Sequence, residues 1–172
     1  MVKLLEVAEM PPVAEFAQPL ELYSVIDDPA LLSGMPYPSS PRWRSLHNAR
    51  FRWIVCLTEE NPPYSPDPLR MLFATRLRDL LSGGDPPDPS HEEALIRKAV
   101  GAIVPTLLRG DGVIVHCEGG RGRAGTVLGC ALIELGAAPT TVIEYLDRIH
   151  KARGTPGWPE ANWQADLVRR FS

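Results

Sequence analysis

Cysteine is scarce in this chain, and long apolar runs are missing. Its three cysteines, Cys56, Cys117 and Cys130, are too few and too scattered among 172 residues for a disulfide framework. Neither a Cys-x2-Cys nor a His-x3-His pair occurs, which removes the usual spacing of a zinc site. No stretch reaches the roughly 18 apolar residues of a membrane-spanning helix, so membrane insertion is not expected. The opening Met1-Val2-Lys3-Leu4-Leu5-Glu6 lacks the uninterrupted apolar core of a signal peptide. A reducing, cytoplasmic location is the expectation that follows. Cationic excess is absent too: 18 Lys and Arg against 21 Asp and Glu leave a net charge of −3, no footprint for nucleic acid. The acids form no tail or block, so their pattern speaks to solubility alone. There is no internal repeat.

What is present reads as a globular chain. With 44% hydrophobic and 23% charged residues, residues 1–172 are expected to form one domain with a substantial core. The part before Pro19 is a short extension with no legible structure. The 18 prolines are dense in Asn61 to Pro68 and Gly83 to Pro89, loops on either side of a strand at Met71 to Leu77. Ser90-His91-Glu92-Glu93 has the form of a capping box. It opens a helix to Leu108, which Pro105 is expected to kink. Further helices are expected at Arg123 to Leu135, at Thr140 to Lys151 with Val142, Tyr145, Leu146 and Ile149 on its core face, and at Pro159 to Phe171. Strands alternating with helices predict an α/β fold, a central, mostly parallel sheet of four to five strands flanked by helices. In such folds ligands bind at the carboxyl ends of the strands.

One such strand end carries His116-Cys117-Glu118-Gly119-Gly120-Arg121-Gly122-Arg123. The β-branched run Val113-Ile114-Val115 follows the turn Arg109-Gly110-Asp111-Gly112. From Arg123 onward Val127, Leu128, Ala131, Leu132 and Leu135 fall on a helical spacing, closed by Gly136 and Pro139. Gly119, Gly120 and Gly122 can take positive φ and let the backbone curl around a ligand with its N–H groups inward. Those donors and the positive end of the helix favour a dianion such as phosphate, held by Glu118, Gly119, Gly120, Arg121, Gly122 and Arg123. A cysteine at a helix N-terminus beside an arginine ionises below its free value of about 8.5, so the pattern predicts a nucleophile that needs no base. The Arg123 guanidinium can grip two phosphoryl oxygens and stay charged. Two rival glycine motifs fail on context. Gly120-x-Gly122-x-x-Gly125 fits a dinucleotide fingerprint, but the strand and acid required about 20 residues later are replaced by the helix from Thr140. The nucleotide P-loop needs a lysine between Gly125 and Thr126, and none is there.

His116 to Gly125 resembles the phosphate-binding loop of the cysteine-dependent protein tyrosine phosphatases, specifically the compact dual-specificity branch. Tyr23-Ser24-Val25-Ile26 to Leu32-Ser33-Gly34-Met35-Pro36 is similar to that family's opening hairpin, and Trp53-Ile54-Val55-Cys56-Leu57-Thr58-Glu59 to its next strand. Pro156-Gly157-Trp158-Pro159-Glu160-Ala161-Asn162-Trp163-Gln164 resembles the segment after the loop in small atypical members, so the likeness spans Glu21 to Phe171. It implies a dual-specificity-phosphatase-like fold and a phosphatase working through a cysteinyl-phosphate, with no metal and no cofactor. It also implies a general acid in the loop after the strand that precedes the long helix. Asp79 keeps the family's order of strand, acid, proline; Asp85 is the alternative, and Asp88 reads as a turn or cap residue. Gln164 matches a glutamine that can position the attacking water, against an ordinary exposed helix residue. The family's hydroxyl after the arginine is replaced by Ala124, with Thr126 two positions on and facing elsewhere. That departure predicts slow breakdown of the phosphoenzyme.

His116 reads as a buried hydrogen-bonding prop of the loop rather than a base, because alternation turns it away from Cys117. Arg121 either adds charge at the pocket mouth for multiply phosphorylated substrates or faces solvent. Cys56, on the neighbouring strand, is a candidate to trap an oxidised Cys117 as a disulfide. The expected partner is a phosphorylated protein or a small phosphate ester. Phosphotyrosine, phosphoserine or phosphothreonine, phosphoinositides and inositol phosphates all present the same dianion. A phosphate-binding pseudophosphatase is the other class left open, and sulfur transfer through a persulfide a distant third.

Overall fold

Five strands share one sheet in the order β1-β2-β5-β3-β4, in a computed structural model that describes residues 2–40 and 42–172; Met1, where the extension begins, and Pro41 lie outside the described residues. The strands are β1 (Tyr23–Ile26), β2 (Leu32–Met35), β3 (Phe51–Cys56), β4 (Arg70–Ala74) and β5 (Gly112–His116). β1 and β2 pair antiparallel, as expected of the hairpin, and the other pairs are parallel. β5 is therefore central, with β2 on one side and β3 on the other, and all five of its residues are buried. An unbroken apolar strand is what a parallel sheet covered on both faces requires.

Alternation along β3 and β5 sorts the core into two clusters. Val55, Val113 and Val115 face the larger one, under helices α2 (Pro89–Leu108), α3 (Gly122–Glu134), α4 (Pro139–Ala152) and α5 (Asn162–Arg170). Ile54 and Ile114 face the smaller one, closed by α1 (Trp43–Asn48) and by Val13 and Leu22 of the N-terminal segment. Each fully buried aliphatic side chain here stabilises the fold by roughly 1.5–3 kcal/mol.

Several expected boundaries move. β4 ends at Ala74, not Leu77: the Thr75 amide makes the last bond to β3, on the Cys56 carbonyl, and beyond it Thr58 and Arg76 meet only in an isolated antiparallel bridge. α2 is capped by Asp88, whose Oδ1 accepts from the His91 N–H at 3.2 Å with Pro89 in the first turn, so Ser90 lies inside the helix and the expected capping box does not form. Pro105 sits in its last turns without interrupting it. α5 starts at Asn162 instead of Pro159, after an extended Ala161. α1 is too short to leave a periodic signal.

The N-terminal extension is folded. The Leu5 N–H bonds the Val25 carbonyl at 2.9 Å, alongside the outer edge of β1. Leu5 and Met10 enter the larger cluster and Val13 the smaller, so the segment wraps the edge strand from one face to the other. Covering an open strand edge removes a site of unwanted pairing. No helix among the described residues is long and apolar enough to cross a membrane.

Candidate active site

Cys117 follows β5 directly and lies at the floor of a cleft of about 280 Å³, 2% exposed. The loop turns at Gly120, whose φ is +72° and whose missing Cβ makes room for the backbone of Met35 and Pro36. Either requirement alone would select glycine. The loop is pinned from outside: the Tyr37 N–H donates to the Glu118 carbonyl at 2.9 Å, and the Tyr23 hydroxyl to that of Gly120 at 2.5 Å. Arg153, from the end of α4, donates to the carbonyls of Gly119 and Gly120 at 3.2 and 3.3 Å. α3 begins at Gly122 and points its N-terminus into the cleft, a favourable place for an anion.

Arg123 stands in the first turn of α3 with its side chain 13% exposed, its Nη2 4.0 Å from Asp79 Oδ2. Asp79 is held at the rim by its neighbours. Leu77 and Leu80 are buried in the core on either side of it, its own Oδ1 accepts from the Leu81 N–H at 2.9 Å, and Glu92 of α2 accepts the Arg78 N–H at 2.6 Å. Burial raises the Glu92 carboxyl above its usual range, opposed by that hydrogen bond and by Arg78. Asp79 remains 54% exposed, within reach of solvent and of a leaving group. Asp85 is exposed and does not line the cleft.

A second carboxylate enters from the C-terminal segment. Trp158 is buried against Gly125, its indole N–H on the Gly122 carbonyl at 3.4 Å, and it fixes the chain that carries Glu160 across the first turn of α3. The Glu160 carboxylate lies where a Cβ on residue 122 would stand, and its Oε2 is 3.4 Å from Arg121 Nη2. Burial raises the Glu160 carboxyl above its usual range; Arg121 and Arg123 oppose this and Asp79 adds to it. Arg121 is thus paired at the mouth, not free in solvent.

Residues 25–156 match the model of the PTP-SAK family, described as a Swiss Army Knife protein with a DSP-PTPase phosphatase domain. The chain belongs to this family. Among curated proteins it is similar to "Putative tyrosine phosphatase 067L" of Invertebrate iridescent virus 3, 27% identical over 142 residues, covering 82% of this chain and 57% of that one. It is also similar to inositol diphosphatase DSP3 of Arabidopsis thaliana, 28% identical over 112 residues, covering 63% and 52%. The chain therefore spans little more than half the length of these relatives. Among solved structures, PTPMT1 in complex with PI(5)P superposes with a TM-score of 0.62 at 18% identity, covering 81% of this chain and 88% of that one, which shows the shared fold.

The other residues of this phosphatase domain that the sequence pointed to fall in distinct places. His116 is fully buried, with Nε2 2.5 Å from the Tyr64 hydroxyl and Nδ1 3.2 Å from the Cys117 carbonyl. A carbonyl can only accept, so Nδ1 carries the proton and the Tyr64 O–H donates to Nε2. Cys56 shares the His116 register and the smaller-cluster face; burial pushes its thiol up, and His116 and Thr58 beside it more than offset that, to about 7. Cys117 belongs to the larger cluster, so the two side chains leave the sheet toward opposite faces, which opposes the expected disulfide. Gln164 is buried, not exposed, and its Oε1 accepts the N–H groups of Glu160 and Ala161 at 2.9 and 3.2 Å. That carbonyl caps α5 and holds Glu160, and Gln164 adjoins Arg123 without lining the cleft itself. Ala124 points into the core, and the Thr126 hydroxyl bonds the Gly122 carbonyl at 2.7 Å.

Sequence reasoning missed Tyr23, Tyr64, Glu92, Arg153 and Glu160. Tyr23, Tyr64, Glu92 and Glu160 lay in segments already singled out for other reasons, Arg153 in none, and no local pattern separates a carboxylate folded over a loop from one in solvent.

Proposed function

We propose that the domain hydrolyses phosphate monoesters through a cysteinyl-phosphate intermediate, acting on phosphotyrosyl side chains first and on phosphoserine or phosphothreonine second. The observation that carries this reading is Cys117 at the floor of a cleft whose rim holds Arg123 and Asp79 within 4.0 Å of each other. In the first step the Cys117 sulfur attacks phosphorus and the P–O bond breaks. Asp79 gives its proton to the departing oxygen, a contribution of about a hundredfold or more. The loop amides and Arg123 hold the three phosphoryl oxygens throughout. In the second step water attacks, the P–S bond breaks, and Asp79 takes the water's proton. Ala124 offers no hydroxyl to the leaving sulfur, so this step is the slower one.

The cleft mouth supports an aryl substrate. Leu81, 63% exposed, offers an apolar wall beside Asp79. The charges around it are Asp79, Glu118 and Glu160 against Arg123, which the first phosphate takes, and Arg121, already paired with Glu160. Such a rim disfavours a substrate carrying several phosphates. Inositol phosphates and phosphoinositides are the second reading, favoured by the names of DSP3 and of the PTPMT1 complex. The free thiols of Cys56, Cys117 and Cys130 suit a reducing cytoplasm.

The test is hydrolysis of para-nitrophenyl phosphate, a phosphotyrosyl peptide and an inositol phosphate without added metal. Cys117→Ser is expected to abolish turnover, and Asp79→Ala to lower kcat about a hundredfold with little change in KM. Rapid mixing of the parent should show a burst of phenol release ahead of slow turnover. Tight binding of phosphate analogues without any turnover would make the domain a recognition module instead.

A further inference from the structure

Behind the loop, on the side away from the cleft, lies a buried cation without a counter-ion. Arg153 is 8% exposed, and each of its five N–H donors has one acceptor. Nε–H bonds the Pro19 carbonyl at 2.9 Å. The two on Nη1 go to the Gly120 carbonyl at 3.3 Å and to His150 Nδ1 at 3.1 Å. The two on Nη2 go to the carbonyls of Leu20 and Gly119, both at 3.2 Å. The guanidinium also stacks on the Tyr23 ring, 4.7 Å from its centroid. All these partners are neutral, and no carboxylate among the described residues lies within ion-pair distance of Arg153. A buried charge normally has a partner of opposite sign.

We propose that Arg153 is a positioning residue of the phosphatase loop and that the counter-ion it lacks is the anion bound in the cleft, an inference that rests on the phosphatase reading of the site. The carbonyl and N–H of a trans peptide point in opposite directions. Drawing the carbonyls of Gly119 and Gly120 back onto Arg153, with the Tyr23 hydroxyl also on Gly120, turns the N–H groups of Gly120 and Arg121 toward the cleft. Loop and cation then act on a bound dianion together: the amides by contact, the guanidinium by its field through a dry interior. Arg153 does not line the cleft, so it touches no substrate. Pro19 and Leu20 supply two of the five acceptors and lie outside the stretch matched by the family model, so the N-terminal segment is part of this device.

The experiment measures orthovanadate affinity by calorimetry, together with kcat and KM on para-nitrophenyl phosphate, for the parent, Arg153→Met, Arg153→Lys and Tyr23→Phe. Leu107→Ala, at the opposite end of the sheet, serves as a destabilised control. Arg153→Met should weaken orthovanadate about tenfold or more and lower kcat, the loss expected of hydrogen bonds from a charged group. Arg153→Lys keeps the charge but not the fork, so it should retain much of the affinity and still lose kcat. Tyr23→Phe should lose roughly threefold in affinity, one neutral hydrogen bond, and Leu107→Ala none. A folded Arg153→Met that binds orthovanadate within twofold of the parent overturns the proposal. If Arg153→Met does not fold, parent-like affinity and kcat in both Arg153→Lys and Tyr23→Phe overturn it. A parent that neither binds orthovanadate nor turns over removes the phosphatase reading itself, and this proposal with it.

Discussion

Glu160 places a negative charge where a phosphate dianion must arrive, and its chemistry follows from that conflict. The carboxyl is drawn into the cleft by Arg121 and by the space over Gly122, yet burial holds its proton more tightly than a free glutamate would. Below its raised value the group is neutral and leaves the loop to the substrate. Above it the carboxylate repels the dianion and occupies Arg121. KM for a phosphate monoester should therefore rise with pH through that range. Glu160→Gln, neutral at every pH, should lower KM a few-fold near neutrality, as expected for like charges a few ångströms apart at a partly screened site, and should converge with the parent in acid. KM measured across pH for both proteins decides it: a constant ratio between them would mean that Glu160 does not face the substrate.

At the level of elements, α4 shows how a helix end serves the site through a residue that carries no charge. His150 is fully buried, accepts a hydrogen bond from Arg153 at Nδ1, and so carries its proton on Nε2, which is buried without a partner among the described residues. Burial, then the charges of Arg153 and Arg121, lowers its pKa from the usual 6.5 to about 3. A depressed folded value means that the unfolded chain binds the proton first, so this group's stability is complete above pH 6.5 and is lost as pH falls toward 3. Each pH unit in that window costs up to about 1.4 kcal/mol. Urea titrations at several pH values should show that slope for the parent and a flatter one for His150→Gln, whose amide stays neutral; equal slopes would place the acid lability elsewhere. Elements of this kind were only partly legible in the sequence. The strand-loop-helix around Cys117 and the apolar stripe of α4 follow from spacing, because each is a local pattern with a local cause. The place of Asp79 at the cleft was legible as well, through the order of strand, acid and proline that the resemblance implies. The partners of Arg153 were not, since residues 19, 20, 119 and 120 meet it only after the sheet has formed. The burial of Gln164 was hidden for the same reason: its carbonyl is fixed by the chain that precedes α5.

Across the whole molecule, the sheet divides the chemistry into two compartments. On the larger-cluster face lie Cys117 and the helices that aim its loop; on the other lies a polar network beneath the loop, in which Tyr64 bonds His116 and Tyr37 bonds Glu59 at 2.7 Å. Burial, then Glu59, holds the Tyr37 hydroxyl up, to about 12, so it donates throughout the physiological range. Cys56 belongs to this second compartment and has a thiol poised near 7, a value that by itself suggests a redox partner for the nucleophile. Position opposes the pairing. A disulfide needs Cα atoms within about 7 Å and Cβ vectors that converge, whereas Cys56 points toward His116 and Tyr64 and Cys117 into the larger cluster on the other face. Cys130 is no alternative, for burial within α3 pushes its thiol far up and keeps it inert. Mild peroxide should therefore oxidise Cys117 alone, to a sulfenic acid that a small thiol reverses. Thiol counting should fall from three to two, not to one, and Cys56→Ser should recover activity at the parent's rate once reductant is added. Loss of two thiols together, with a Cys56–Cys117 peptide found after digestion without reductant, would show that the sheet opens far enough at its carboxyl end to let the two faces meet.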